Sequence, residues 1–176
     1  MLRLVPLATA ITIHAAESRL LETDTSMLAK RMAEGGPVSN REEGLAWQVG
    51  VWDRISQIYW SEIDRRFAPV VDHVLAWADL QAGERVLDLG TGTGAVAEKA
   101  AFAVEPGGHV LAIDISPEML ALAGRRADQA SLKFQLEEGS GESIPAADAS
   151  FDVILASLAL MYVTTDLAPH ARLLAS

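Results

Sequence analysis

The residues best suited to chemistry are Asp88, the run Gly90-Thr91-Gly92-Thr93-Gly94, and Asp114. Glycines at a strand end that feed a helix let a ligand approach the backbone, and the helix end offers free N–H groups. On their own such glycines serve equally well for a tight turn and close strand–helix packing. Asp114 adds a second feature, because it ends the next apolar run, 20 residues beyond Gly94. In a parallel sheet with right-handed crossovers that carboxylate comes to lie beside the glycine loop, placed to accept hydrogen bonds from both hydroxyls of a ribose. Gly90-x-Gly92-x-x-Ala95 formally fits the NAD fingerprint, with Asp114 on the adenosine ribose. Asp88 weighs against that fit. Two residues before the first glycine, a carboxylate repels a pyrophosphate and suits a ligand bearing an ammonium or sulfonium group.

Elements must hold these residues in place, and the hydrophobic pattern supplies them. From Leu45 the pattern is helical, with Trp52, Ile55, Tyr59, Ile63 and Phe67 recurring at three- and four-residue steps. Pro69 is expected to break this run. A second amphipathic helix follows, with Val70, Val71, Val74, Leu75 and Ala78 inward, closed near Gly83. Residues 85–89 are β-prone and lead through the glycines into a helix carrying Val96, Ala100, Ala103 and Val104 on one face. Glu105-Pro106-Gly107-Gly108 stops it, and residues 109–114 read as the next strand. Ser116 is a good N-cap, Pro117 suits the first helical position, and Glu118 suits the positive helix end. That helix turns Met119, Leu122 and Ala123 to one side. A third strand is predicted over 132–136 and a fourth over 151–156, with a polar loop at 137–144 and a turn at Asp148-Ala149-Ser150 between them. Alternating strands and helices, with strands apolar on both faces, imply a parallel sheet covered on both sides.

With these motifs in order, the chain resembles the class I, S-adenosylmethionine-dependent methyltransferases. Val86-Leu87-Asp88-Leu89-Gly90-Thr91-Gly92-Thr93-Gly94 resembles their motif I. Ala112-Ile113-Asp114-Ile115-Ser116-Pro117-Glu118-Met119-Leu120 resembles their second motif. Gly139-Ser140-Gly141-Glu142-Ser143-Ile144-Pro145, followed by Asp148-Ala149-Ser150-Phe151-Asp152-Val153-Ile154, resembles the region before and along their fourth strand. The match runs from about Trp52 to Tyr162 and is closest to the broad group that methylates small molecules, including quinone-biosynthesis enzymes. The resemblance implies an α/β, Rossmann-like parallel sheet comprising the first four strands of the seven-stranded fold, in the order 3-2-1-4, with N-terminal helices. S-adenosylmethionine, which carries both an ammonium and a sulfonium and no phosphate, is the implied cofactor.

Position by position, the resemblance implies that Asp88 and the backbone from Gly90 through Thr91 and Gly92 to Gly94 hold the methionine end. Asp114 takes the ribose and Ile115 packs on adenine. Ser140, Gly141 and Glu142 meet the adenine edge, and Ser157 and Leu158 lie near the methyl group. Tyr59, on the helix that lids such sites, touches cofactor or substrate, although its helical spacing suits a packing role as well. Ser140 stands where many relatives have an aspartate, so adenine recognition shifts toward Glu142. No catalytic base can be named. His14, His73, His109 and His170 are scattered, and neither a GxSxG elbow nor an HExxH metal pair is present.

Composition narrows the remaining classes. The 176 residues suffice for one domain with a real core. With 24 acidic against 14 basic side chains the net charge is −10, which argues against nucleic-acid backbones and anionic membranes as partners. The absence of cysteine excludes disulfides and zinc–thiolate sites. No apolar run approaches the roughly 20 residues that span a bilayer, and a cytoplasmic location is expected. Arg3 precedes a mildly apolar stretch, but one basic residue, Pro6 and several threonines make a poor signal peptide. Residues 1–43, which include Gly35-Gly36-Pro37-Val38-Ser39-Asn40, read as a poorly ordered or weakly helical leader and linker, with Met27 or Met32 as alternative starts. Residues 44–176 read as a partial cofactor-binding domain.

Only 14 residues follow Tyr162, enough for one helix over about 165–175. The family fold has three further strands, so the fourth strand here is expected to be an apolar edge that invites self-association, and the sequence reads as a truncated product or one part of a split protein. Three functions follow. The first is methyl transfer to a small-molecule acceptor, impaired by truncation. The second is a non-catalytic remnant that binds cofactor or a partner through the open edge. The third, an NAD-dependent oxidoreductase, is retained only if NAD binds and Asp88→Asn leaves that binding intact.

Overall fold

A computed structural model of the chain describes residues 41–141, 143, 144, 146–159 and 173. Most of the leader, Glu142 and the expected last helix apart from Leu173 lie outside the described residues. The contacts set out below fall within residues 49–176.

Helix α1 spans Arg41–Ile58 and so begins ahead of Leu45, where the helical pattern becomes clear. Arginine and glutamate are good helix formers, and they extend the helix past the expected boundary. Pro69 does not break the run that follows. Residues Tyr59–Ile63 pass into a π-helical turn, with the Asp64 N–H donating to the Tyr59 carbonyl, and α2 then spans Asp64–Ala78 with Pro69 inside it. The proline removes the donor for the Arg65 carbonyl. Both residues are exposed, so solvent can take that carbonyl. Asp79, in the left-handed region at φ 49°, closes α2.

Strand β1 (Arg85–Leu89) lies at the centre of a parallel sheet, flanked by β2 (His109–Asp114) and β4 (Val153–Leu155), and β2 pairs in turn with β3 (Gln135–Glu138). The order is β3-β2-β1-β4, as the resemblance implies. Helices α3 (Ala95–Val104) and α4 (Pro117–Ala130) form the crossovers. Alternation along β1 sends Val86 and Asp88 to one face and Leu87 and Leu89 to the other. Val86 packs with Val71, Val74 and Ala78 of α2 and with Val96, Ala100 and Val104 of α3. Leu87 and Leu89 pack with Leu111, Ile113, Ile144, Phe151 and Leu173 on the second face. Both faces of β1 are thus buried, as the continuous apolar strands require.

Two strands and one helical face differ from the sequence pattern. The third strand is Gln135–Glu138 rather than 132–136, because α4 ends in a turn that uses the intervening residues. Ser131 is left-handed (φ 55°), and the Leu132 N–H donates to the Ala127 carbonyl at 3.0 Å. Phe134 is apolar because it packs against the core, outside any strand. The fourth strand is Val153–Leu155 rather than 151–156. Ahead of it, the Phe151 N–H donates to the Leu173 carbonyl (2.9 Å) and the Asp152 N–H to the Arg85 carbonyl (2.8 Å). On α3, Ala103 is exposed, while Ala97 and Ala101 are buried beside Val96, Ala100 and Val104. This helix is covered by α2 as well as by the sheet, so its inward stripe is wider than one face.

The Arg85 guanidinium pairs with the Asp152 carboxylate at 3.0 and 3.1 Å, fixing the register at the start of β1 and β4. Accepting from the Arg85 side chain and backbone holds the Asp152 carboxyl below the usual aspartate value. No helix among the described residues is long and apolar enough to cross a membrane.

Candidate functional site

The carboxyl ends of β1 and β2 place the glycine loop beside Asp114. The Gly90 and Thr91 N–H groups both donate to the Ile113 carbonyl at 2.9 Å, which draws the loop against the end of β2. The Gly92 N–H donates to Asp114 Oδ2 at 2.8 Å, and the Ser116 N–H donates to Asp114 Oδ1 at 3.0 Å. Asp114 therefore bridges the two turns that follow β1 and β2. Burial raises its pKa, while N–H donors from Ser116, Gly92 and Ile115 work in the opposite direction.

The three glycines differ in what requires them. A Cβ on Gly94 would stand 2.9 Å from the Ala123 Cβ, and its φ of +82° is one that side chains rarely adopt. A Cβ on Gly90 would stand 2.4 Å from the Ala159 Cβ. These two are demanded by packing against α4 and against the segment after β4. Gly92 (φ +54°) is different, since a Cβ there would meet nothing within 4 Å. Only its bare backbone borders open space, and it does so beside a carboxylate.

Asp88 lies beneath the loop. It is 1% exposed, accepts from the Thr91 hydroxyl at 2.7 Å, and is approached by the Ala97 N–H in the first turn of α3. Burial, with the nearby Asp114 charge adding to it, pushes its pKa up to about 7. Thr91 belongs to the loop and Ala97 to the helix start, so this carboxyl shapes the loop from below.

Several other residues singled out by sequence lie at the ends of the same strands. The Gly139 N–H donates to the Asp114 carbonyl at 3.0 Å, setting Ser140 and buried Gly141 next to the end of β2, and Ser140 and Ser143 close a small loop through a 3.0 Å backbone bond. Ile115 is half-buried between Asp114 and the α4 cap. Ser157 and Leu158 lead from β4 to Ala159, which presses on Gly90, and Leu158 is held at φ 59°, an uncommon state for a leucine. Tyr59 stands in the π-helical turn with its ring edge-on to Trp52, centroids 6.3 Å apart. Glu142 lies outside the described residues. Among the described residues no group of His, Asp or Glu could hold a metal ion.

Sequence reasoning missed several polar partners of the site. The Thr93 hydroxyl donates to Asp64 at 2.7–2.8 Å, and Arg126 donates to the Thr93 carbonyl at 2.8 Å. Ser116, which caps α4 by accepting from the Met119 N–H at 3.2 Å, donates its own hydroxyl to Asp53 at 2.6 Å. Nothing in the local sequence marks Asp53, Asp64 or Arg126, because each acts across a long chain separation.

Residues 86–175 match a family described as a methyltransferase domain. The chain is 33% identical over 116 residues to an uncharacterized protein of Mycobacterium tuberculosis, covering 66% of this chain and 39% of that protein. It is 37% identical over 111 residues to nocamycin O-methyltransferase of Saccharothrix syringae, covering 61% of this chain and again 39% of that protein. The chain thus spans about two fifths of the length of these curated relatives. Among solved structures, a SAM-dependent methyltransferase from Aquifex aeolicus superposes with a TM-score of 0.55 at 27% identity, over 60% of this chain and 58% of that one. The four-stranded order β3-β2-β1-β4, the glycine loop at its carboxyl edge and these likenesses agree, and the chain belongs to the class I, S-adenosylmethionine-dependent methyltransferase family.

Proposed function

We propose that this chain binds S-adenosylmethionine at the carboxyl edge of β1 and β2 and serves methyl transfer to a small-molecule acceptor. The observation that carries the reading is the pairing of Asp114 with the open backbone at Gly92. A carboxylate has about four acceptor positions, and Asp114 engages the Gly92, Ser116 and Ile115 N–H groups. The position that remains can take a ribose hydroxyl. Gly92 lets the ligand lie against the backbone without displacing a side chain. The residues present therefore fit the group, with Asp114 on the ribose and the Gly90–Gly94 backbone on the methionine end.

Asp88 acts differently from Asp114 in this reading. Buried under the loop, it orients Thr91 and the start of α3, and its partial negative charge favours a cationic ligand above it. Ile115 packs on the adenine plane, Ser140 and Gly141 border the adenine edge, and Ser157 and Leu158 face the reacting end. Tyr59 stands on the lid side, against cofactor or acceptor. When bound, the cofactor supplies an electrophilic methyl on a sulfonium, and in-line displacement then depends mainly on positioning the acceptor. The acidic balance of the chain suits a small acceptor better than a polyanionic one. A relative named for O-methylation of nocamycin supports the same class.

The test is calorimetric titration of the 176-residue chain with S-adenosylhomocysteine, alongside Asp114→Ala and an NAD control. Saturable binding by the wild type, weakened at least about tenfold in Asp114→Ala and absent with NAD, is expected. No binding by a folded, soluble chain, or equal binding of NAD, would overturn the reading.

A further inference from the structure

Arg126, on α4, is joined to four other elements at once. Its Nε donates to the Thr93 carbonyl at 2.8 Å, its Nη1 to Glu98 Oε2 at 3.0 Å and its Nη2 to Asp64 Oδ2 at 2.5 Å. Its guanidinium carbon lies 4.7 Å from the centroid of the Trp60 ring. The side chain is 19% exposed, so these charge-assisted bonds and the cation–π contact form largely out of solvent. Three separate nitrogens of one planar group serve three acceptors, which a lysine ammonium cannot reproduce.

Thr93 is consequently held from both ends. Its carbonyl accepts from Arg126, and its hydroxyl, 2% exposed residue and all, donates to Asp64, which Arg126 also grips. Thr93 sits between Gly92, which borders the open cradle, and Gly94, which begins α3. Fixing Thr93 therefore sets the direction of the Gly92 backbone. Trp60 and Asp64 belong to the π-helical turn and the first residue of α2, so the same guanidinium also seats the N-terminal helices. A second strut repeats the arrangement, because Asp53 of α1 accepts from Ser116 beside Asp114.

We propose that Arg126 is a positioning residue for the glycine loop, coupling the seating of the Trp60–Asp64 segment to the affinity of the loop for an adenosyl ligand. This rests on the cofactor reading above. The residue touches no ligand in this account. It acts through Thr93.

The experiment compares wild type, Arg126→Lys and Thr93→Val, with Asp152→Asn on the exposed Arg85–Asp152 ion pair as a control. S-adenosylhomocysteine affinity is measured by calorimetry, and amide exchange of residues 92–98 is followed without ligand. Arg126→Lys keeps the charge and loses the fork, so affinity should fall about tenfold and exchange at Gly94 and Glu98 should quicken. Thr93→Val keeps the shape and removes the bond to Asp64, with a several-fold loss expected. Asp152→Asn should alter neither readout. Should Arg126→Lys fail to fold, Thr93→Val decides: reduced affinity supports the role and wild-type affinity overturns it. Wild-type binding with folded variants that match it in both readouts overturns the positioning role and leaves the cofactor site standing. A wild-type chain that binds nothing overturns the cofactor site and this role with it.

Discussion

Replacing Asp88 by asparagine separates the charge of this motif residue from its shape. Burial raises the Asp88 pKa from 3.8 to about 7, with the Asp114 charge adding to the effect, and the Thr91 hydroxyl and Ala97 N–H do not offset it. The folded protein thus holds this proton more tightly than the unfolded chain does. The associated stabilisation is complete below about pH 4 and is lost as pH rises through about 7. At about 1.4 kcal/mol per pH unit, the loss between about pH 5 and pH 8 is about 3 kcal/mol. For a domain of this size that corresponds to a fall of roughly 6–12 °C in the unfolding midpoint. Asparagine is neutral at every pH and imitates the protonated acid, so its midpoint should lie near the wild type's at about pH 4 and exceed it by a margin that widens toward pH 8. Asp114 and Asp64, also raised by burial, impose a slope of the same sign on both proteins, so the informative quantity is their difference. Circular dichroism melts of both proteins across this range, without ligand, provide the measurement. A difference that stays constant with pH would refute the claim that Asp88 titrates between its folded and unfolded values.

The glycine loop yields a contrasting pair. Gly92→Ala should cost only the roughly 1–2 kcal/mol of a left-handed alanine, since its Cβ meets nothing within 4 Å, yet weaken S-adenosylhomocysteine binding by more than about tenfold. Gly94→Ala should destabilise the fold itself by about 3 kcal/mol, as overpacking against Ala123 adds to the strain. Denaturant melts and calorimetry distinguish the two, and unchanged affinity in Gly92→Ala would remove Gly92 from the site. Leu87→Ala, at a fully buried position on the second face of β1, should lower stability by about 2–5 kcal/mol. An unchanged denaturation midpoint would contradict the placement of that face.

Much of this protein is legible in its sequence because the relevant physics is local. The alternation of β1, the Ser116–Pro117 cap and the glycine run each depend on neighbours within a few residues, and the chain order of strands and helices constrains the parallel sheet. Asp114 could be placed beside the loop from topology alone. Where the pattern misled, a second partner was involved. The apolar residues Leu132 and Phe134 imitate a strand although they serve a helix exit and the core, and Pro69 sits in a helix because exposed backbone tolerates its missing donor.

Composition and spacing by themselves determined the fold class, the glycine loop and its two carboxylates, since these follow from periodicity and connection rules. Tertiary structure alone decided that Gly90 and Gly94 answer to packing while Gly92 borders open space. It also decided that Asp88 is buried beneath the loop, and that Arg126 joins Thr93 to Asp64 and Trp60. Each of these depends on which distant side chain occupies the adjoining volume. Arg125 and Arg126 look alike in sequence, and only the rotation of α4 turns one of them toward the glycine loop while its neighbour stays exposed.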